Sequence, residues 1–186
     1  MTADWLVYVI GYPGCGKTSA MRRAIGVSDL LEEEVYEKPF AHTIYPSGLV
    51  QLGKPRDTYG GTDTLALNVQ PIVVKWLREI DVPVVLGEGD RLANYKFFHS
   101  AFEMARIPVI VHIKCGELTA RKRAWERGSR FNESWLKGRI SKVDALVQSC
   151  QRMADAGMCR FHRLDGDESP DYVGGALADI IGGLND

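Results

Sequence analysis

Residues 5–25 read WLVYVI-GYPGCGKT-SAMRRAI, and the fold follows from that order. Trp5–Ile10 is a nearly continuous apolar run, the pattern of a strand buried on both faces. Gly11-Tyr12-Pro13-Gly14-Cys15-Gly16-Lys17-Thr18 then satisfies G-x-x-x-x-G-K-[ST] in full. Ser19–Ile25 reads as a helix opening from the loop. Glycines let backbone N–H groups turn inward around phosphates, and the helix points its positive dipole end at the same anion. Gly11, Pro13, Gly14, Cys15, Gly16, Lys17, Thr18 and Ser19 are therefore expected to hold a nucleoside triphosphate. ATP with Mg²⁺ is the expected ligand, with Lys17 on the β- and γ-phosphates and the Thr18 hydroxyl on the metal. The strand before and the helix after the loop are the context that separates this motif from a coincidence of glycines.

Downstream, strands and helices alternate. Ala41–Tyr45, Gly48–Leu52, Val82–Leu86, Pro108–Ile113 and Phe161–Leu164 are the further expected strands. Helices are expected at Val69–Ile80, Ala93–Arg106, Glu117–Arg127, Glu133–Met153 and Ser169–Ile181, the last with a Ser-Pro start signal. The acidic stretch Val27–Lys38 reads as a solvated face or loop. Such alternation implies an α/β fold with a mainly parallel sheet. Trp76, Trp125 and Trp135 are expected to pack into the core.

The chain has 186 residues, 45% hydrophobic and 25% charged, the size and make-up of one domain spanning 1–186. A net charge of −1 forces neither a nucleic-acid nor a membrane partner. No apolar run approaches the ~20 residues of a membrane helix, and the N-terminus reads as a strand instead of a signal peptide. The four cysteines show no C-x-x-C spacing, so reduced thiols in a cytoplasmic setting are expected.

In open α/β sheets ligands bind beyond the carboxyl ends of the strands. Glu88 and Asp90, in Gly87-Glu88-Gly89-Asp90-Arg91, follow such a strand. They are candidates for holding Mg²⁺ with Thr18, and Glu88 also for accepting a proton from an attacking hydroxyl. Asp63, in Gly60-Gly61-Thr62-Asp63, is a second candidate base; as a cap it would start a helix near Thr64. Arg121, Lys122, Arg123, Arg127 and Arg130 cluster further on, followed by Lys137, Arg139 and Lys142. A charged helix is ordinarily a solvated face, but phosphoryl transfer needs cations over the transferring group. Arg123 and Arg127, spaced i,i+4, are the candidates, and Glu117–Arg139 is the candidate mobile lid with Gly128 as hinge.

Taken together, GYPGCGKT, GEGDR and RKRAWERGSR resemble the small P-loop kinases of nucleosides and nucleotides. The resemblance implies a three-layer P-loop NTPase fold, a five-stranded parallel sheet with helices on both faces, and a helical lid. It also implies transfer of the ATP γ-phosphate to a small acceptor. The run QLGKPRDTYGGTDTLALNVQP more narrowly resembles the acceptor segment of phage-encoded kinases that phosphorylate 5-hydroxymethyluracil in DNA. That reading places Arg56, Tyr59 and Asp63 at the acceptor, with Asp90 and Arg91 beside them. Three functions follow: a kinase of a modified pyrimidine in DNA, a kinase of a free nucleoside, nucleotide or other small alcohol, and a nucleotide-driven switch without an acceptor.

Overall fold

The computed structural model describes residues 4–55, 60–126, 128 and 132–184. β1 (Asp4–Ile10) is the central strand, between β5 (Val84–Glu88) and β6 (Arg106–Lys114), parallel to both. Alternate residues of β1 face opposite layers. Leu6, Tyr8 and Ile10 pack with α3 (Gln70–Glu79), α4 (Tyr95–Glu103) and α6 (Glu133–Asp155). Trp5, Val7 and Val9 pack with α1 (Lys17–Ile25) and α7 (Pro170–Gly182). Burial on both faces is what the continuous apolar run called for.

The sheet corrects the five-stranded parallel expectation. Among the described residues it has seven strands in the order β2-β3-β4-β5-β1-β6-β7. A block of β4 (Val50–Leu52), β5, β1, β6 and β7 (Arg160–Asp165) is parallel throughout. β2 (Glu34–Tyr36) and β3 (His42–Ile44) extend it as an antiparallel flank. β2 falls in the stretch expected to be a solvated face or loop. All three of its residues are exposed, so an edge strand wet on both faces carries no hydrophobic period to read.

Helix ends show the same kind of cause. The helix expected at Ala93–Arg106 stops at Glu103, because Ala105 is left-handed (φ 59°) and Arg106 already belongs to β6. Ser169 caps α7 as expected, accepting from the Tyr172 N–H. The short α2 (Val27–Leu31) and α5 (Glu117–Glu126) complete the helices among the described residues. Trp76 packs against the core with Phe40 and His42, whereas Trp125 (69% exposed) and Trp135 (44%) do not enter it. Among the described residues no helix is long and apolar enough to cross a membrane.

Candidate active site

The phosphate loop lies where β1 ends and α1 begins, and its backbone is shaped by crowding. Gly14 and Gly16 are left-handed, with φ 86° and 98°. A side chain at Gly11 would meet the Ile113 carbonyl oxygen at 2.3 Å, and one at Gly14 the Ala120 carbonyl at 2.6 Å. The loop thus rests directly on the end of β6 and the first turn of α5. α1 starts without a capping side chain or an acidic first turn, which leaves its N–H groups for an anion. Lys17 Nζ donates to the carbonyls of Gly11 (2.9 Å) and Tyr12 (3.1 Å), across the mouth of the loop. Burial disfavours its charge, but Cys15 and the nearby Glu88, Asp90 and Asp63 outweigh that and hold its pKa above the ordinary value. Cys15 is 1% exposed.

Opposite the loop stands a cluster of carboxylates. Strand register sets Glu88 beside Val9, two residues before the loop opens. Its carboxylate accepts a hydrogen bond from the Thr18 hydroxyl at 3.1 Å. Burial, only 2% of the residue being exposed, pushes the Glu88 carboxyl up to about 7. Lys17 and the Thr18 bond pull the other way, and Asp63 and Asp90 add to the rise. Asp63 sits in a 3₁₀ turn, Thr62–Thr64, and accepts from the Asp90 N–H at 2.8 Å. It starts no longer helix; α3 begins at Gln70. Asp90 in turn accepts from Arg139 of α6 at 2.9 Å, while Lys142 donates to its carbonyl at 3.1 Å. Arg91 donates to the Leu65 carbonyl at 3.1 Å.

These contacts bring together Lys17, Thr18, Glu88, Asp63 and Asp90 as the sequence suggested, and add Arg139 and Lys142. The signal for that pair, basic residues spaced i,i+3 on α6, is the same as for any solvated helix face. Arg123 is placed against the backbone of the loop. Its guanidinium donates to the carbonyls of Gly166 (2.7 Å) and Cys15 (3.4 Å). There it borders a cavity of about 270 Å³ that Gly16, Ser19, Glu168 and Pro170 also line. Arg56, Tyr59 and Arg127, the other expected contacts, lie outside the described residues.

The donor set suits a hard cation. Mg²⁺ in such sites is held by one or two protein oxygens together with phosphates and water. Thr18 and Glu88 offer neighbouring oxygens at the loop mouth, with Asp90 on the adjoining turn. Among the described residues no cluster of three or more His, Cys, Asp or Glu forms a complete protein cage.

The family model described as P-loop Nucleotide Kinase3 matches residues 2–179. No curated protein matches the sequence. Among solved structures, the unliganded crystal structure of a sugar kinase from Janibacter sp. HTCC2649 superposes with a TM-score of 0.52 at 13% identity. The match covers 98% of this chain and 99% of that one, a likeness that speaks for the fold.

Proposed function

Because this chain belongs to the P-loop Nucleotide Kinase3 family, we propose that it moves the γ-phosphoryl group of ATP to a hydroxyl of a small molecule. The observation that carries the reading is the Thr18–Glu88 contact, which joins a phosphate cradle to a cluster of carboxylates. The second carboxylate, Asp63, held on the neighbouring turn, supports an acceptor site over a switch that only binds and releases nucleotide.

The roles follow from position. Lys17, already aimed across the loop mouth, neutralises the β- and γ-phosphates. Thr18 and Glu88 would hold Mg²⁺, which when bound offsets charge building on the phosphate oxygens. The cavity beside Arg123 takes the nucleoside end of the donor. Asp63 orients the acceptor hydroxyl and accepts its proton, with Glu88 as the alternative base. Arg139, held on Asp90, is the candidate cation for an acceptor or for the phosphoryl group in transit. Arg127, in the lid segment 117–139, is a second candidate cation from the sequence. Transfer of this kind is mainly positioning and electrostatics, so the cations outweigh the base.

The narrower reading, 5-hydroxymethyluracil in DNA with Arg56 and Tyr59 at the acceptor, rests on the resemblance of residues 51–71 alone. One assay tests both. γ-Labelled ATP is offered with free nucleosides, nucleotides, sugars and polyols, with DNA containing 5-hydroxymethyluracil, and with ordinary DNA. Label on one class of small molecule is the expected result. Label on the modified DNA alone would replace it with the narrower reading. Rapid ATP hydrolysis with no labelled acceptor would favour the switch and overturn the kinase.

A further inference from the structure

Tyr8 lies on β1, three residues before the phosphate loop, and is fully buried. Its ring packs edge-on against Phe97 and Phe98 of α4, with centroids 6.1 and 5.1 Å away. It also occupies the space where residue 87 would carry a side chain: a Cβ on Gly87 would stand 2.5 Å from the ring. A phenylalanine would pack here equally well, so packing leaves the hydroxyl unexplained. A buried hydroxyl needs a partner, and this one has two. It lies 2.9 Å from the Gly89 carbonyl and 2.9 Å from Thr62 Oγ1. Thr62, itself fully buried, lies 2.9 Å from the Glu88 carbonyl. Each hydroxyl has one proton, so Tyr8 donates to Gly89 or to Thr62, and Thr62 to Glu88 or to Tyr8.

With Tyr8 donating to Gly89 and Thr62 to Glu88, two neighbouring carbonyls, those of residues 88 and 89, are held by hydroxyls from two other segments. Glu88 carries the carboxylate that meets Thr18; the residue after Thr62 is Asp63. The backbones interlock around this point. A Cβ at Gly61 would meet the Glu88 carbonyl at 2.6 Å and its carboxylate at 2.8 Å. A Cβ at Gly89 would meet Thr62 Oγ1 at 2.9 Å and the Asp63 carboxyl carbon at 3.0 Å.

We propose that Tyr8 and Thr62 are positioning residues for phosphoryl transfer: without touching nucleotide, they fix Asp63 and Glu88 relative to the strand that feeds the phosphate loop. This rests on the kinase reading above. In-line transfer depends on sub-ångström placement, and a displacement of about 1 Å costs roughly 100-fold in rate. Loosening the two hydroxyls therefore falls mainly on kcat, because the donor is gripped chiefly by the loop backbone and Lys17, which neither hydroxyl touches.

The test uses Tyr8→Phe and Thr62→Val, which delete a hydroxyl and keep the shape, and Thr62→Ser, which keeps the hydroxyl. Each is assayed on the acceptor identified for the wild type, with ATP affinity measured by calorimetry and folding by circular dichroism. Expected for Tyr8→Phe and Thr62→Val is a fall in kcat of about 10- to 100-fold, with KM and Kd for ATP within about twofold. Thr62→Ser stays within about threefold of wild type on the same grounds. Should Tyr8→Phe fail to fold, the Val and Ser variants at position 62 decide alone. Unchanged kcat in the folded variants overturns the proposal, as does a Ser variant no better than Val, or an equal loss of ATP affinity. An active wild type with indifferent variants sinks this proposal only; a wild type that labels no acceptor sinks the kinase reading and the proposal with it.

Discussion

The phosphate loop takes eight consecutive residues, Gly11–Thr18, and offers an anion mostly backbone N–H groups, whereas the carboxylate cluster opposite, with its basic partners, draws Asp63, Glu88, Asp90, Arg139 and Lys142 from three distant segments. In the first region the shape is set by which positions lack a Cβ, as the close approaches at Gly11 and Gly14 show. In the second it is set by side chains that hold one another: Thr18 on Glu88, Asp63 on the Asp90 amide, Arg139 on the Asp90 carboxylate. A backbone site stays formed when any one side chain is trimmed. A side-chain cluster shares its partners, so the loss of one leaves another unsatisfied.

Lys17 is the exception within the loop, the one charged side chain among its eight residues, and on the proposed function its charge holds the phosphates. Lys17→Ala is expected to lower kcat/KM by about 1,000-fold or more, in line with the loss of a main cation in phosphoryl transfer. Steady-state transfer kinetics check this, and near wild-type turnover would break the scheme at its root. Asp63→Asn and Glu88→Gln come next, each at about 100-fold in kcat, the usual range for a general base. If either exceeds Lys17→Ala, the carboxylates and not the cradle dominate the chemistry. Arg139→Ala should raise the acceptor KM about tenfold and leave ATP affinity unchanged, as for one charge-assisted contact; a matching loss of ATP binding would move Arg139 to the donor side.

The smallest expected effect is on stability and comes from His112, on β6 beneath Tyr12. It is 4% exposed and neither ring nitrogen has a hydrogen-bond partner. Burial, with Arg163 and Lys114 nearby, pushes its pKa from 6.5 down to about 4. The unfolded chain therefore takes up a proton that the native state refuses, and stability is lost as pH falls from 6.5 to about 4. Glu88 works in the opposite direction: its carboxyl is raised from 4.5 to about 7, so its share of stability is lost as pH rises across that window. Urea midpoints for His112→Phe should flatten the acid side by on the order of 1–3 kcal/mol and leave values above pH 7 nearly parallel to wild type. An unaltered acid slope would mean that the imidazole is not held neutral.

What could be read from the sequence divides along the same line. The loop, its strand and its helix were legible because their signals are contiguous: an apolar run, a fixed spacing, a helical period. Glu88 and Asp90 were legible because a strand end is a local landmark. Arg139 and Lys142 were not, since nothing in a basic helix says which face meets Asp90. Nor was the hydroxyl of Tyr8, which reads as one more apolar residue of a buried strand. β2 escaped for a different reason: pairing with β3 holds it in the sheet, and pairing leaves no trace in a three-residue exposed run.

Cys15 carries a practical consequence of the crowding around the phosphate loop. A thiol in a nucleotide site invites covalent capture, yet this one is almost wholly enclosed, and burial raises its pKa. The other three thiols are buried as well, and desolvation raises Cys115 and Cys159 to about 11 and Cys150 to about 12. Thiolate is the form that reacts with electrophiles, and little of it exists here at neutral pH. The native protein should therefore resist iodoacetamide and peroxide and keep without added reductant, while chemical labelling of its cysteines would report unfolding and not the chemistry of the site.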